Sequence, residues 1–241
     1  SGTAALHLAF RSINIKENDT VILPIINFIS AANILTQMKA KIFFSDVDPY
    51  TGQMAPKTLM ECIKKNKIKK VKAFVTMYLG GHCNDNVLFY NIKKKLKCFM
   101  IEDACHALGS KYIYLNKKYY IGSCKHADIS TFSLHPVKSI TTGEGGFIST
   151  NDLSIYQKST QFKAHGILRK KNAHWDYDVK YPGLNYRLSD INSSLGISQL
   201  RKLDKFVIKR VEIAKIYSDF LKNLNNILLP KVNKNIYSSW H

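Results

Sequence analysis

Residues 71–103 read VKAFVTMYLGGHCNDNVLFYNIKKKLKCFMIED. The run 71–77 is short, apolar and stops before Gly80-Gly81, which predicts a strand buried on both faces. Residues 87–96 carry a helical period, and CFMIED at 98–103 predicts a second strand that ends on two carboxylates. Strand, helix and strand within about thirty residues form the unit of a parallel sheet with crossover helices.

The alternation extends in both directions. Ala4, Leu6, Ala9, Phe10 and Ile13 share a helix face, 21–23 is a short strand ending at Pro24, and 29–37 is helical. A strand over 41–47 and a helix over 59–65 follow. Beyond residue 103, strand-like runs occupy 128–132 and 146–150, and 156–164 is helical. The stretch 165–187 is irregular, and two long helices are expected over 188–203 and 206–224. The expected fold is α/β, a mostly parallel mixed sheet flanked by helices. Ligands gather at the carboxyl ends of strands in such sheets, where Asp103 and Ser133 fall.

Composition narrows the function classes. The chain has 241 residues, of which 45% are hydrophobic and 22% charged, which excludes a disordered chain. The longest apolar run, 21–35, is broken by Pro24 and Asn27 and is too short to span a bilayer, so no membrane partner is expected. The net charge of +19 raises a nucleic-acid reading. Its lysines cluster at 64–70, at 93–97 and in Arg169-Lys170-Lys171, with no interleaved aromatics and few arginines. We therefore read them as solvated surface, with no nucleic-acid partner. Cys62, Cys83, Cys98, Cys105 and Cys124 form no CxxC pair, so neither a disulfide framework nor a metal site is expected, and free thiols point to a cytoplasmic setting. The chain opens at Ser1 without a Met and closes at His241 without a helix stop, and it reads as truncated at both ends.

The chemistry concentrates in DISTFSLHPVKSITTGEGG, residues 128–146. A strand delivers Ser133, a Pro-constrained turn presents His135 and Lys138, and a Gly-rich return leads to another strand. A lysine desolvated in such a turn is a usable amine nucleophile toward an aldehyde. Earlier, Asp103 ends a strand three residues before His106, either as a working carboxylate or as a turn former. At the opening, Ser1-Gly2-Thr3-Ala4 starts a helix, where free N–H groups favour a phosphate and a plain N-cap is the simpler reading. A phosphate cradle, a carboxylate and an amine are together what pyridoxal phosphate requires.

The blocks SGTAALHLAF, EDACHALGS, SLHPVKSITTGEGGF and LNYRLSDINSSLGISQL resemble, in order, those of the DegT/DnrJ/EryC1/StrS sugar aminotransferases, which are fold-type I pyridoxal-phosphate enzymes. The resemblance implies amino transfer from L-glutamate to the keto carbon, C4, of a UDP-linked 4-keto-6-deoxy-N-acetylhexosamine, in the biosynthesis of surface glycans such as pseudaminic acid. It implies that Lys138 forms the internal aldimine and moves the proton, and that Asp103 pairs with the pyridinium nitrogen. His106 would lie beside the cofactor ring, or be a buried structural residue. Phe28 would stack on the other ring face, or be a core residue. Gly2, Thr3, Ala4 and Ser133 would hold the phosphate. Asn185 would reach the phosphate of the partner subunit in a homodimer, or cap the helix expected from Leu188. The implied division is a cofactor-binding large domain over 1–187 and a helical connection with the beginning of a small C-terminal domain over 188–241. Two other readings stand beside it, a basic nucleic-acid-binding α/β domain and a non-catalytic homologue. Retention of both Asp103 and Lys138 speaks against the homologue.

Overall fold

The computed structural model describes residues 1–170 and 173–241, so Lys171 of the third basic run and Asn172 lie outside the described residues. Helix α1 (Gly2–Ser12) starts at Ser1, whose hydroxyl accepts from the Ala4 amide at 3.1 Å. It buries Leu6, Ala9 and Phe10 at helical spacing. Next come β1 (Thr20–Pro24), α2 (Ser30–Gln37), β2 (Lys41–Ser45), α3 (Pro56–Lys65), β3 (Ala73–Met77), α4 (Asn86–Leu96) and β4 (Phe99–Asp103). Pro56 opens α3 at a position where a missing N–H costs nothing, and α4 stops where Lys97 turns left-handed at φ 51°.

A hairpin of β5 (Lys111–Tyr114) and β6 (Lys117–Tyr120) interrupts the alternation before β7 (Ile129–Ser133) and β8 (Gly146–Ser149). Helix α5 (Leu153–Phe162) is capped by Asp152, which accepts from Ile155 N at 3.0 Å, an arrangement worth about 1 kcal/mol. The stretch expected to be irregular over 165–187 contains a second hairpin, β9 (Ile167–Lys170) and β10 (Ala173–Val179), antiparallel with a register shift. Helices α6 (Asp190–Leu200) and α7 (Leu203–Leu221) follow, and β11 (Ile236–Tyr237) returns to pair with β5.

The main sheet runs in the order β2-β1-β3-β4-β7-β8, parallel throughout except for the antiparallel edge strand β8. Successive side chains divide between its two faces. Val21, Leu23, Val75 and Ile101 pack with α1 and α2 on one side, whereas Ile22, Phe74 and Met100 pack with α3 and α4 on the other. This two-sided burial explains why the strands read as continuous apolar runs. Lys93 is not the freely solvated residue expected: it pairs with Asp128 at 2.6 Å, and Asp128 also accepts from Met100 N at 2.8 Å. Among the described residues, no helix is long and apolar enough to cross a membrane.

Candidate active site

The parallel strands bring their carboxyl ends together. Register pairs Met77 with Asp103 and Asp103 with Thr131, two residues before Ser133. Asp103 is 3% exposed. Burial pushes its carboxyl above the usual carboxylate range, and bonds from Cys105 and the charge of Lys138 oppose that. Cys105 N donates to its Oδ1 at 3.2 Å. Asn27 faces it from the loop after β1, with a buried Nδ2 that makes no hydrogen bond of ordinary geometry.

Lys138 is presented by a turn fixed from several sides. Its amide donates to His135 O at 2.9 Å, Thr142 N donates to Leu134 O at 3.0 Å, and Leu134 N donates to Gly145 O at 2.9 Å. Asn192 of α6 clamps the same loop by donating to Thr142 O at 2.8 Å and Glu144 O at 3.0 Å. The positive charge of Lys138 bears on Asp103, Cys105, His106 and His241. Burial, reinforced by Asp103, pushes the Cys105 thiol far up, so it is a neutral thiol.

The first turn of α1 lies against this group. A Cβ on Gly2 would stand 2.8 Å from Ser133 Cβ and 3.2 Å from Cys105 Sγ. Only glycine permits that approach, which sets the first-turn amides, lacking intrahelical acceptors, beside the Ser133 hydroxyl. Gly2 is buried, Ala4 is half-buried and Thr3 is exposed.

The sequence does not signal the role of the last residues. Ser239 Oγ donates to His106 O at 3.0 Å, Ser238 Oγ donates to Gly80 O at 3.1 Å, and His241 N donates to Gly80 O at 3.1 Å. His241 stacks on His106 with ring centroids 3.8 Å apart. Burial first, then neighbouring positive charge, lowers His106 to about 3 and His241 to about 4, so both rings are neutral. Each keeps a buried Nδ1 without a partner.

Asp103, His106, Ser133, Lys138 and Gly2 thus converge. Phe28 is 72% exposed at the same end of the sheet, so the core reading fails. Asn185 is exposed on the segment beside α5. It does not cap α6, because Ser189 does so by accepting from Asn192 N at 3.3 Å. Among the described residues, no three His, Cys, Asp or Glu side chains are placed to hold a metal.

The family model of the DegT/DnrJ/EryC1/StrS aminotransferases matches residues 1–241. A GDP-perosamine synthase of Escherichia coli O157:H7 is 36% identical over all of this chain and 62% of its own length. A UDP-4-amino-4,6-dideoxy-N-acetyl-beta-L-altrosamine transaminase of Campylobacter jejuni is 39% identical over 92% of this chain and 57% of its own length. The solved structure of Helicobacter pylori PseC, an aminotransferase involved in the biosynthesis of pseudoaminic acid, superposes with a TM-score of 0.81 at 31% identity over 93% of this chain and 58% of its own. The chain therefore spans about three fifths of the length of the relatives it matches. A match running from Ser1 to His241 makes this α/β chain a member of the DegT/DnrJ/EryC1/StrS aminotransferase family.

Proposed function

We propose that this chain is the cofactor-binding part of a pyridoxal-phosphate-dependent aminotransferase that acts on a nucleotide-linked keto sugar. The observation that carries the reading is the buried Asp103 carboxylate at the end of β4, which feels the charge of Lys138 and accepts from Cys105, itself packed against Gly2 in the first turn of α1. The residues fit the cofactor. His106 Nδ1 is a buried polar atom without a partner, and at the start of α1 the Gly2 and Thr3 amides face a phosphate while Ser1 holds the Ala4 amide.

When bound, pyridoxal phosphate supplies an aldehyde that condenses with amines and a protonated ring that accepts carbanion charge. Lys138 would provide the amine that holds the cofactor covalently and would move the proton between the donor's Cα and the cofactor's C4′. For the sugar half-reaction, the same amine moves the proton in the opposite sense, at the sugar carbon that receives nitrogen. Asp103 holds the proton on the ring nitrogen, an ion pair strengthened by burial. His106 orients the ring as a neutral imidazole and adds no second positive charge beside Lys138. Phe28, exposed at the same end of the sheet, would stack on the ring. Gly2, Thr3, Ala4 and Ser133 hold the phosphate, and Asn185 reaches the phosphate of a second copy in a homodimer.

We assign the substrate as a UDP-linked 4-keto-6-deoxy-N-acetylhexosamine, aminated at C4 with L-glutamate as donor, as in pseudaminic acid biosynthesis. The named activity of the Campylobacter relative supports this choice. Residues 1–187 form the cofactor-binding domain in this reading, and 188–241 lead into a small domain. Five free thiols accord with a cytoplasmic enzyme.

Borohydride treatment of the full-length protein with pyridoxal phosphate should fix the cofactor on the peptide containing Lys138. Failure to label that peptide overturns the assignment. Turnover with the UDP-linked keto sugar should exceed that with its GDP-linked counterpart, and the reverse order overturns the nucleotide assignment.

A further inference from the structure

The segment bearing Asn185 is held in an orientation that the proposed function leaves unexplained. Residues 184–186 run antiparallel to the end of α5. Leu184 N donates to Phe162 O at 2.8 Å, Tyr186 N donates to Lys163 O at 3.0 Å, and His165 N donates to Leu184 O at 3.1 Å, with Asn185 bridged to Ala164. In extended pairing, successive side chains point to opposite faces. Fixing Tyr186 inward therefore fixes Asn185 outward, and a one-residue slip would exchange them.

What holds Tyr186 inward is His7 of α1. His7 Nδ1 and Tyr186 Oη share a hydrogen bond of 3.1 Å across 179 residues of sequence. Their rings meet edge-on at 5.8 Å, and Phe162 lies edge-on to both, at 5.3 Å from His7 and 6.4 Å from Tyr186. The Arg11 guanidinium lies over Phe162 at 5.1 Å and closes the group from the next turn of α1. Burial, helped by Arg11, lowers the His7 imidazole, so it stays neutral beside the phenol. Tyr186 is half-buried and Asn185 exposed.

We propose that His7 and Tyr186 form a latch that sets which face of the 184–186 segment is presented, turning Asn185 outward toward a second copy of the chain. His7 lies one turn beyond Thr3, so the helix whose start holds a subunit's own phosphate also fixes the residue it offers to its partner. His7 and Tyr186 are positioning residues that act through Asn185. The latch rests on contacts described here, whereas its effect on cofactor affinity rests on the function proposed above.

The test uses the full-length protein and two readouts, amide hydrogen exchange over 184–186 and affinity for pyridoxal phosphate. Tyr186→Phe keeps the ring and removes only the hydroxyl. It should speed exchange of the Tyr186 amide about three- to tenfold and weaken cofactor affinity by a similar factor. His7→Ala should act alike, and the double variant should be no worse than the more severe single one, because both remove the same bond. His7→Gln, which restores a hydrogen-bonding group, should recover part of the loss. Should His7→Ala not fold, Tyr186→Phe alone decides. Unchanged exchange in Tyr186→Phe, or additive effects in the double variant, overturns the latch. Faster exchange with unchanged cofactor affinity overturns the positioning role. A parent protein that binds no cofactor overturns the proposed function, while exchange still judges the latch.

Discussion

Two adjacent carboxylates, Glu102 and Asp103, are both buried and face opposite sides of β4. Glu102 accepts from Tyr78 Oη at 2.6 Å, from Asn86 Nδ2 at 3.2 Å and from Ser130 Oγ, and burial raises its carboxyl against those three donors. Glu102→Gln turns an amide donor toward donors and should cost about 1–3 kcal/mol in denaturant unfolding, with cofactor affinity preserved. Asp103→Asn should do the reverse, weakening cofactor binding while stability changes little, because a neutral amide cannot hold a ring proton. Matching effects of the two variants on affinity would remove the division of labour. Lys138→Ala should leave the fold intact and lower amino transfer by several orders of magnitude, since proton transfer alone accounts for roughly 10²–10⁴-fold. The stacked histidines set a pH dependence. From an ordinary 6.5, His106 falls to about 3 and His241 to about 4. Above 6.5 both rings are neutral whether the chain is folded or not. Below it the unfolded chain takes up protons that the folded rings refuse, so stability declines as pH falls from 6.5 toward those values. Thermal unfolding should show His106→Phe losing less stability than the parent between about pH 7 and pH 5. Equal losses would mean that His106 titrates normally.

At the scale of elements, the start of α1 is the most exacting junction, because Gly2 meets Ser133 with no room for a methyl. Gly2→Ala should cost about 1–3 kcal/mol and weaken cofactor affinity together, as the first turn shifts off β7. Unfolding and cofactor titration that both match the parent would exclude this. The same junction shows how far the sequence is legible. Strands β1, β3 and β4 stand out because both their faces are buried, and Asp103, Ser133 and Lys138 follow because they sit at or just beyond strand ends. The β5–β6 hairpin escapes because KYIYLNKKYY lacks an apolar alternation. Lys111 covers the rings of Tyr120 and Tyr237, and the turn uses Leu115 and Asn116 at φ 49° and 58° without a glycine. In the β9–β10 hairpin Arg169, Trp175, Tyr177 and Val179 are all exposed, so no buried face marks it as a strand pair. Asn27 and His241 reach the site through tertiary packing, which leaves no local mark in sequence. Asn192 likewise reads as an ordinary helical residue until the loop it clamps is seen.

At the scale of the molecule, α6 and α7 bury no residue, and Ile191 and Phe220 are 83% and 79% exposed. Apolar faces of this extent call for cover by another surface. In the proposed homodimer that partner also supplies Asn185. A mixed dimer pairing an Asn185→Ala subunit with a Lys138→Ala subunit separates the alternatives. If Asn185 acts across the interface, the one site with a lysine retains its Asn185 and should bind cofactor normally. Impaired binding at that site would place Asn185 within its own chain. The closing segment, finally, sets an order of events during synthesis. Ser110 hydrogen-bonds Ser239 at 2.9 Å across 129 residues, and Ser239 also secures the His106 carbonyl. At about 5–20 residues per second, the ribosome delivers Ser239 on the order of ten seconds after Ser110. For that interval the sheet can form while the Ser110 hydroxyl and the His106 carbonyl wait for Ser239. A nascent chain halted before Ile236 would therefore expose an unfinished pocket on a finished sheet, the state in which a chaperone would meet it.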